Sequence, residues 1–409
     1  MSDTRLAADL ITPLGAYLRL RPPGAPGFLL ESVERGRLGR YSFVGAGSRL
    51  VDLVEAESCG EPVTGYVGYD YAAVVEPTVL LPDRGPGLPE SRFLVADVLV
   101  RFDHAGGTAD VVRGDPEAVE QALAAPLDPL PAAGGKPGAR VRRSPSRGDY
   151  EAAVRRALEH IRAGDAFQIV VSQRAVRPLR ASALDVYRAL RQLNPSPYLF
   201  LLELGDITLV GSSPETLVRS DGRRATVNPI AGTTRSGPGD AERLLTSEKD
   251  RAEHVMLVDL GRNDLSRVCM PGSVQVQRLL EPEQFSFVTH LVSEVEGELL
   301  AGTRPFDLLR ACFPAGTVSG APKVRAMQII SELEGYRRGP YAGAVGYVLP
   351  DGVLDMCIAI RTIVIAEGTA RMQAGAGIVA DSDPAAEHEE CLNKLAALEH
   401  AVRLAEAAA

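Results

Sequence analysis

What this chain lacks narrows what it can be. Its five cysteines (Cys59, Cys269, Cys312, Cys357 and Cys391) are scattered, and no C-x-x-C pair occurs. That spacing argues against a zinc or iron–sulfur centre and against a disulfide framework, and it fits a reducing compartment. No run approaches the ~20 apolar residues that span a bilayer. The opening Met-Ser-Asp-Thr-Arg is not followed by an apolar stretch behind a basic one, so no signal peptide is expected and the expected location is cytoplasmic, away from membranes. There is no basic stripe with interleaved aromatics, which argues against nucleic acid as a partner. G-x-G-x-x-G after a strand, G-x-x-x-x-G-K-[ST] and internal repeats are all missing.

What remains is ordinary globular material. The 409 residues are 45% hydrophobic and 24% charged, with a net charge of -9 and a pI of about 5.4. Residues 122–148 are rich in Pro, Gly and Ala and poor in pattern, so they read as a linker between an N-terminal region, 1–121, and a C-terminal domain, 149–409. Arg142, Arg143 and Arg147 form a basic cluster there, read as solvated. Short alternating segments at Phe28–Val33, Tyr41–Gly45, Leu50–Val54 and Phe93–Phe102 read as strands. In the second region Tyr150, Val154, Leu158 and Ile161 step along a helix, with Asp149 as its cap and Gly164 as its stop. A further helix is marked by Leu184, Tyr187 and Leu190, and others fit 241–260, 304–312, 322–334 and 385–407. Strands are expected at Phe167–Val176, Tyr198–Leu204, Thr208–Gly211, Tyr341–Leu349, Asp355–Ile365 and Arg371–Ala374. Neighbouring strands joined by short turns, with helices in blocks, predict an α+β fold with large antiparallel sheets.

Two acidic pairs carry the first hint of chemistry. Asp250 and Glu253, and far away Glu387 and Glu390, are each three residues apart in helix-like stretches, so each pair shares a helix face. One such pair alone reads as solvated surface. If the two helices meet, four carboxylates converge, and that charge requires a cation. Oxygen-only ligands suit Mg2+, which prefers to be shared with an anionic substrate. Other stretches are too particular for scaffold. Ser212-Ser213-Pro214-Glu215-Thr216 sets one acid at the end of an apolar strand. Pro229-Ile230-Ala231-Gly232-Thr233 offers backbone N–H and hydroxyl groups to an anion. Phe313-Pro314-Ala315-Gly316-Thr317-Val318-Ser319-Gly320-Ala321-Pro322-Lys323 is a small-residue loop that opens a helix. Gly375-Ala376-Gly377 permits close backbone approach to a ligand.

These segments, in this order, resemble the chorismate-utilising enzymes, and most closely the anthranilate synthase component I family. The resemblance is strong over 150–400. It extends to 28–70 through Leu29-Leu30-Glu31-Ser32, Gly39-Arg40-Tyr41-Ser42-Phe43 and Gly65-Tyr66-Val67-Gly68-Tyr69-Asp70. It implies the chorismate-binding fold, completed by the N-terminal region. It implies that Asp250, Glu253, Glu387 and Glu390 hold Mg2+ on the ring carboxylate of chorismate. Asp250 is one methylene shorter than the family's usual Glu, so contact through water is expected. Gly232, Thr233, Tyr341, Arg361, Gly375, Gly377 and Lys394 match groups around the substrate. Glu215 matches the general acid for the departing C4 hydroxyl, and His290 and Thr317 match residues beside the reacting ring.

Two positions separate members of the family. Gln168 stands where isochorismate and salicylate synthases carry a lysine base, and an amide cannot activate water. Ala231 stands where aminodeoxychorismate synthases carry a lysine nucleophile, and a methyl group cannot attack. Direct attack by ammonia at C2 and loss of pyruvate then remain, which yields anthranilate. No amidotransferase motif is present, so ammonia is expected from a glutaminase partner (component II). Leu30, Glu31, Ser32, Pro197, Tyr198, Leu199, Val345 and Tyr347 resemble the family's tryptophan feedback pocket. The alternatives are a 2-amino-2-deoxyisochorismate synthase, an aminodeoxychorismate synthase and a non-catalytic chorismate or tryptophan sensor.

Overall fold

Runs of buried positions, bounded by glycine and polar turns, make strand the dominant element of this chain. The computed structural model describes residues 4–32, 39–127, 140–235, 237, 239–284 and 288–407, with the side chains of 4, 231, 233–235, 249, 250, 284 and 288 outside that set. Among the described residues the strands form two antiparallel sheets, one of twelve strands and one of ten, counting Arg142–Ser144 beside Gln168–Pro178 and Gln275–Gln284 beside Val288–Glu298, which lie off the two orders given next.

The larger sheet runs Thr4–Ala7, Thr108–Arg113, Val98–Asp103, Tyr41–Ala46, Gly27–Glu31, Tyr198–Leu204, Ile207–Ser213, Thr362–Ala366, Thr369–Ile378, Gln168–Pro178 and Gly320–Ala321. The smaller runs Ile230–Arg235, Val288–Glu298, Arg224–Val227, Thr216–Asp221, Val353–Ile358, Ala344–Val348, Val63–Val67, Ser91–Val95 and Arg49–Val51. Both sheets mix early and late chain. Leu199 is in register with Glu31, and Val67 with Ala344. The N-terminal region thus completes both sheets.

The sheets face each other across one apolar layer that includes Phe28, Phe200 and Leu209 from the larger and Tyr66, Val345 and Cys357 from the smaller. Helices Pro13–Leu20, Ala183–Leu193 and Pro384–Ala407 cover the outer face of the larger sheet with Tyr17, Leu190, Leu398 and Val402. Helices Glu248–Ser266 and Pro305–Cys312 cover the smaller with Leu265, Leu308 and Leu309. Arg177 and Glu406, both buried, pair to tie the end of the last helix to strand Gln168–Pro178. A charge pair so enclosed holds geometry more than it adds net stability.

The expected α+β architecture with large antiparallel sheets is what forms, and several boundaries differ. Helix Arg147–Arg162 is capped by Ser146, whose hydroxyl accepts from the N–H of Asp149; Asp149 itself lies in the first turn. Gly164 ends it with φ +83°. Leu50–Val54 is not one strand. The chain turns after Val51, and Asp52 caps helix Leu53–Ser58 by accepting from the N–H of Glu55. Phe93–Phe102 divides into Ser91–Val95 and Val98–Asp103, one in each sheet. Asp355–Ile365 likewise divides into Val353–Ile358 and Thr362–Ala366. The helix over 241–260 is two, Asp240–Thr246 and Glu248–Ser266. Within 122–148, helix Pro116–Ala124 runs into the start and Arg142–Ser144 is a strand on Gln168–Pro178; residues 128–139 lie outside the described residues. Arg143 reaches Glu399 at 2.6 Å and Arg147 reaches Glu151 at 2.9 Å, so the basic cluster is partly paired rather than simply solvated.

Candidate active site

The chain crosses from one sheet to the other at two adjacent corners, and each corner presents a functional side chain. Strand Ile207–Ser213 belongs to the larger sheet and Thr216–Asp221 to the smaller, with Pro214 and Glu215 between. Strands Val353–Ile358 and Thr362–Ala366 make the opposite crossing through Arg361. The corners are stitched together: Ser212 N–H donates to the Arg361 carbonyl at 3.1 Å, and Ile358 N–H donates to the Glu215 carbonyl at 3.0 Å. Arg361 has φ +50° and Ala342, after Tyr341, has φ +65°. Non-glycine residues reach that region at a cost and concentrate at functional sites.

Glu215 is surrounded by protein, and loss of hydration raises its carboxyl from 4.5 to about 7. The Thr317 hydroxyl and the Lys394 ammonium oppose that shift more weakly. Glu215 and Thr317 line the same small cavity. Thr317, in the short helix Gly316–Ser319, keeps its buried Oγ1 without a hydrogen-bond partner of good geometry. The loop that carries it is pinned by buried Lys323, which donates to Asp264 Oδ2 at 2.8 Å and to the Cys312 carbonyl at 3.1 Å.

Lys394 arrives from helix Pro384–Ala407. Its Nζ donates to the Gly375 carbonyl at 2.8 Å and pairs with Glu390 at 2.7 Å, one helical turn away. Gly375 is required by space: a Cβ there meets Tyr341 Oη at 2.8 Å and the Val171 carbonyl at 3.1 Å. Burial raises the Tyr341 phenol and lowers the Arg361 guanidinium, with Glu390 partly restoring the latter. Among the described residues no carboxylate lies within ion-pair distance of Arg361. A cation so enclosed and so lightly compensated has the chemistry to accept an anion. His290 stands opposite Thr233 in the sheet, bonds to the backbone of Gly232, and is kept neutral by burial, with the Arg361 charge acting in the same direction. The side chain of Thr233 lies outside the described residues.

The acidic residues approach from two helices. Glu253 accepts from Gln168 Nε2 at 3.0 Å, and a Cβ on Gly377 would lie 2.5 Å from that same nitrogen. Glu387 and Glu390 sit on the first turns of the last helix, where both act on Cys391. The Asp250 side chain lies outside the described residues. Among the described residues no three acidic, His or Cys side chains are grouped tightly enough to hold a metal ion.

The segments expected to hold tryptophan also meet. Leu30, Tyr198 and Tyr347 pack on the layer between the sheets, and Leu199 is in register with Glu31. Tyr198 Oη bonds to Asp355 Oδ1 at 2.9 Å and to Thr216 Oγ1 at 2.8 Å, one residue from Glu215. Glu31 is engaged by Arg191 at 3.0 Å and by the Tyr187 hydroxyl. Among the described residues the buried Ser32 hydroxyl has no hydrogen-bond partner. Pro197 leads into strand Tyr198–Leu204, and Val345 lies on Ala344–Val348.

The sequence reading missed the supports. Glu334 accepts from the Ser172 N–H at 2.9 Å and pairs with buried Arg338 at 2.7 Å. Arg338 donates to the Val318 and Val170 carbonyls at 2.7 and 2.8 Å, and it stacks on Tyr69 and Tyr341. Lys323 ends a loop singled out from sequence, but nothing in the spacing marks Asp264 as its partner.

Comparison with known proteins agrees with this geometry. A family model described as chorismate binding enzyme matches residues 43–400. An anthranilate synthase component 1 from Thermus thermophilus is 46% identical over 98% of this chain and 97% of its own length. One from Streptomyces coelicolor is 47% identical over 98% of this chain and 88% of its own. The crystal structure of anthranilate synthase component I from Streptococcus pneumoniae superposes with a TM-score of 0.79 at 33% identity, covering 97% of this chain and 99% of that one.

Proposed function

The chain belongs to the chorismate-binding enzymes, and from that membership we propose that it acts as component 1 of an anthranilate synthase, converting chorismate and ammonia to anthranilate and pyruvate. The observation that carries the reading is the pair of stitched corners, one holding the proton-bearing Glu215 carboxyl that feels Lys394 and the other holding the enclosed cation Arg361, with Lys394 anchored on the glycine-lined strand. Chorismate is a dianion with a poor leaving group, so it needs such cations and such an acid.

Arg361, Lys394 and the Tyr341 hydroxyl orient the substrate carboxylates. Ammonia attacks C2 as the ring double bonds shift and the C4–O bond breaks. Glu215, protonated up to about pH 7, gives its proton to the leaving oxygen, which departs as water. Neutral His290 stands beside the ring as an acceptor for a proton released when pyruvate is eliminated. Gln168 supports amination over hydration, because its amide is spent on Glu253 and has no basicity to lend to water.

The chemistry of the donors suits Mg2+: Glu253, Glu387, Glu390 and Asp250 would hold it through oxygen alone. When bound, the ion neutralises the substrate's ring carboxylate. Thorough chelation should abolish turnover and Mg2+ should restore it, while Glu390→Gln should weaken Mg2+ binding by calorimetry in the absence of substrate. Ammonia is proposed to come from a separate glutaminase. The purified chain should therefore use ammonium salts and ignore glutamine; glutamine-dependent turnover by the chain alone rejects this. The unpaired Ser32 hydroxyl supports tryptophan feedback at the inter-sheet site, and Ser32→Ala should weaken inhibition by tryptophan with little effect on uninhibited turnover. Product mass and fluorescence from chorismate, Mg2+ and ammonium decide the central reading: an unaromatised amine or a C4 amine instead of anthranilate overturns it.

A further inference from the structure

From the candidate active site, Tyr341 and its support Arg338 also line a second cavity, of about 500 Å3. That volume lies in the range of small-molecule sites. Seven arginines line it and no Asp or Glu does, in a chain whose net charge is -9. Three have acidic partners: Arg143 with Glu399, Arg338 with Glu334 and Arg371 with Glu367. Among the described residues the other four, Arg84, Arg142, Arg174 and Arg337, have no carboxylate within ion-pair distance.

Two of these four are held in place by neutral groups. Arg174 lies 3.6 Å over the Tyr336 ring and donates to Ser144 Oγ at 3.2 Å. Arg337 donates to the Pro82 carbonyl at 2.7 Å, and its N–H bonds to the Arg84 carbonyl at 2.8 Å. Like charges gathered this way repel; burial and the Arg84 charge disfavour the Arg174 cation, and Glu334, outside the lining and paired with Arg338, offsets this only in part. The remaining wall is apolar, with Leu88, Val176, Val364 and Met372. We propose that this cavity is a binding site for a small amphipathic organic anion, one with a planar apolar body and a carboxylate, sulfonate or phosphate group facing Arg174 and Arg337. The inference stands on the cavity alone and does not depend on the reaction proposed above.

The test uses the full chain and the aromatic sulfonate 8-anilinonaphthalene-1-sulfonate, followed by fluorescence and calorimetry. Saturable binding is expected, weakening as salt rises. R174A and R337E should each weaken it about tenfold, the order of one lost charge-assisted hydrogen bond. The neutral analogue N-phenyl-1-naphthylamine should not displace the probe. Circular dichroism checks that each variant folds, and the exposed Arg337 position keeps the test available if R174A does not. No binding to the parent chain, equal binding to parent and folded variants, or displacement by the neutral amine overturns the proposal.

Discussion

At the scale of single residues, Glu215 serves activity at a cost in stability above its ordinary pKa. Its folded value of about 7 lies above the ordinary 4.5. Between those values the folded chain holds a proton that the unfolded chain has released, so stability falls as pH rises across that window. Turnover should fall only at the upper end of that window and above it, around pH 7, because the acid is lost there. Glu215→Gln is expected to slow turnover by about 10²–10⁴-fold and to remove the alkaline limb from the residual pH profile. The same variant should gain on the order of 1–3 kcal/mol of stability above pH 7 relative to the parent. Denaturant titrations at pH 5 and pH 8 check the sign. Glu215 was legible in the sequence as one acid at the end of an apolar strand, and its expected role came from the family resemblance rather than from spacing. The supports of the site were not: Glu334 and Arg338 are a turn apart across a helix end, and Asp264 and Lys323 are paired only by the fold. Glu334→Gln leaves Arg338 buried with its charge unmatched, and about 3–5 kcal/mol of stability should be lost in urea denaturation.

At the scale of elements, the corners decide the site. Local pattern identified most strands and helices, yet it read 93–102 and 355–365 as single strands. Each half of such a run is equally apolar, and which sheet it joins depends on partners far away in the chain, such as Gly65 for Phe93 and Val210 for Ile363. The corner at Arg361 was therefore invisible as a corner, although the residue itself was singled out. Short strand Gly320–Ala321 shows how tight these joints are. Gly320 has φ +130°, and a Cβ there would lie 2.1 Å from the Gln168 carbonyl. Gly320→Ala should cost roughly 3 kcal/mol or more. It should also displace Gln168 from Glu253, which raises KM for chorismate in steady-state assays.

At the scale of the whole molecule, the breaker-rich stretch after residue 121 reads as a domain boundary, but the sheets run through both regions. Residues 149–409 produced alone would expose strand Tyr198–Leu204 where Gly27–Glu31 normally pairs, and Ala344–Val348 where Val63–Val67 does. Unpaired apolar edges of that kind associate with other chains. The fragment is expected to be insoluble, or soluble without a cooperative unfolding transition, and co-producing residues 1–148 should rescue it; a soluble fragment that melts cooperatively by itself contradicts this. The interleaving has a consequence during synthesis. Val67 must wait for Ala344 to leave the ribosome before its strand gains that neighbour. At about 5–20 residues per second the delay is tens of seconds. The nascent N-terminus must be shielded through that interval, which makes a chaperone-poor translation system the place where this enzyme's yield should drop first.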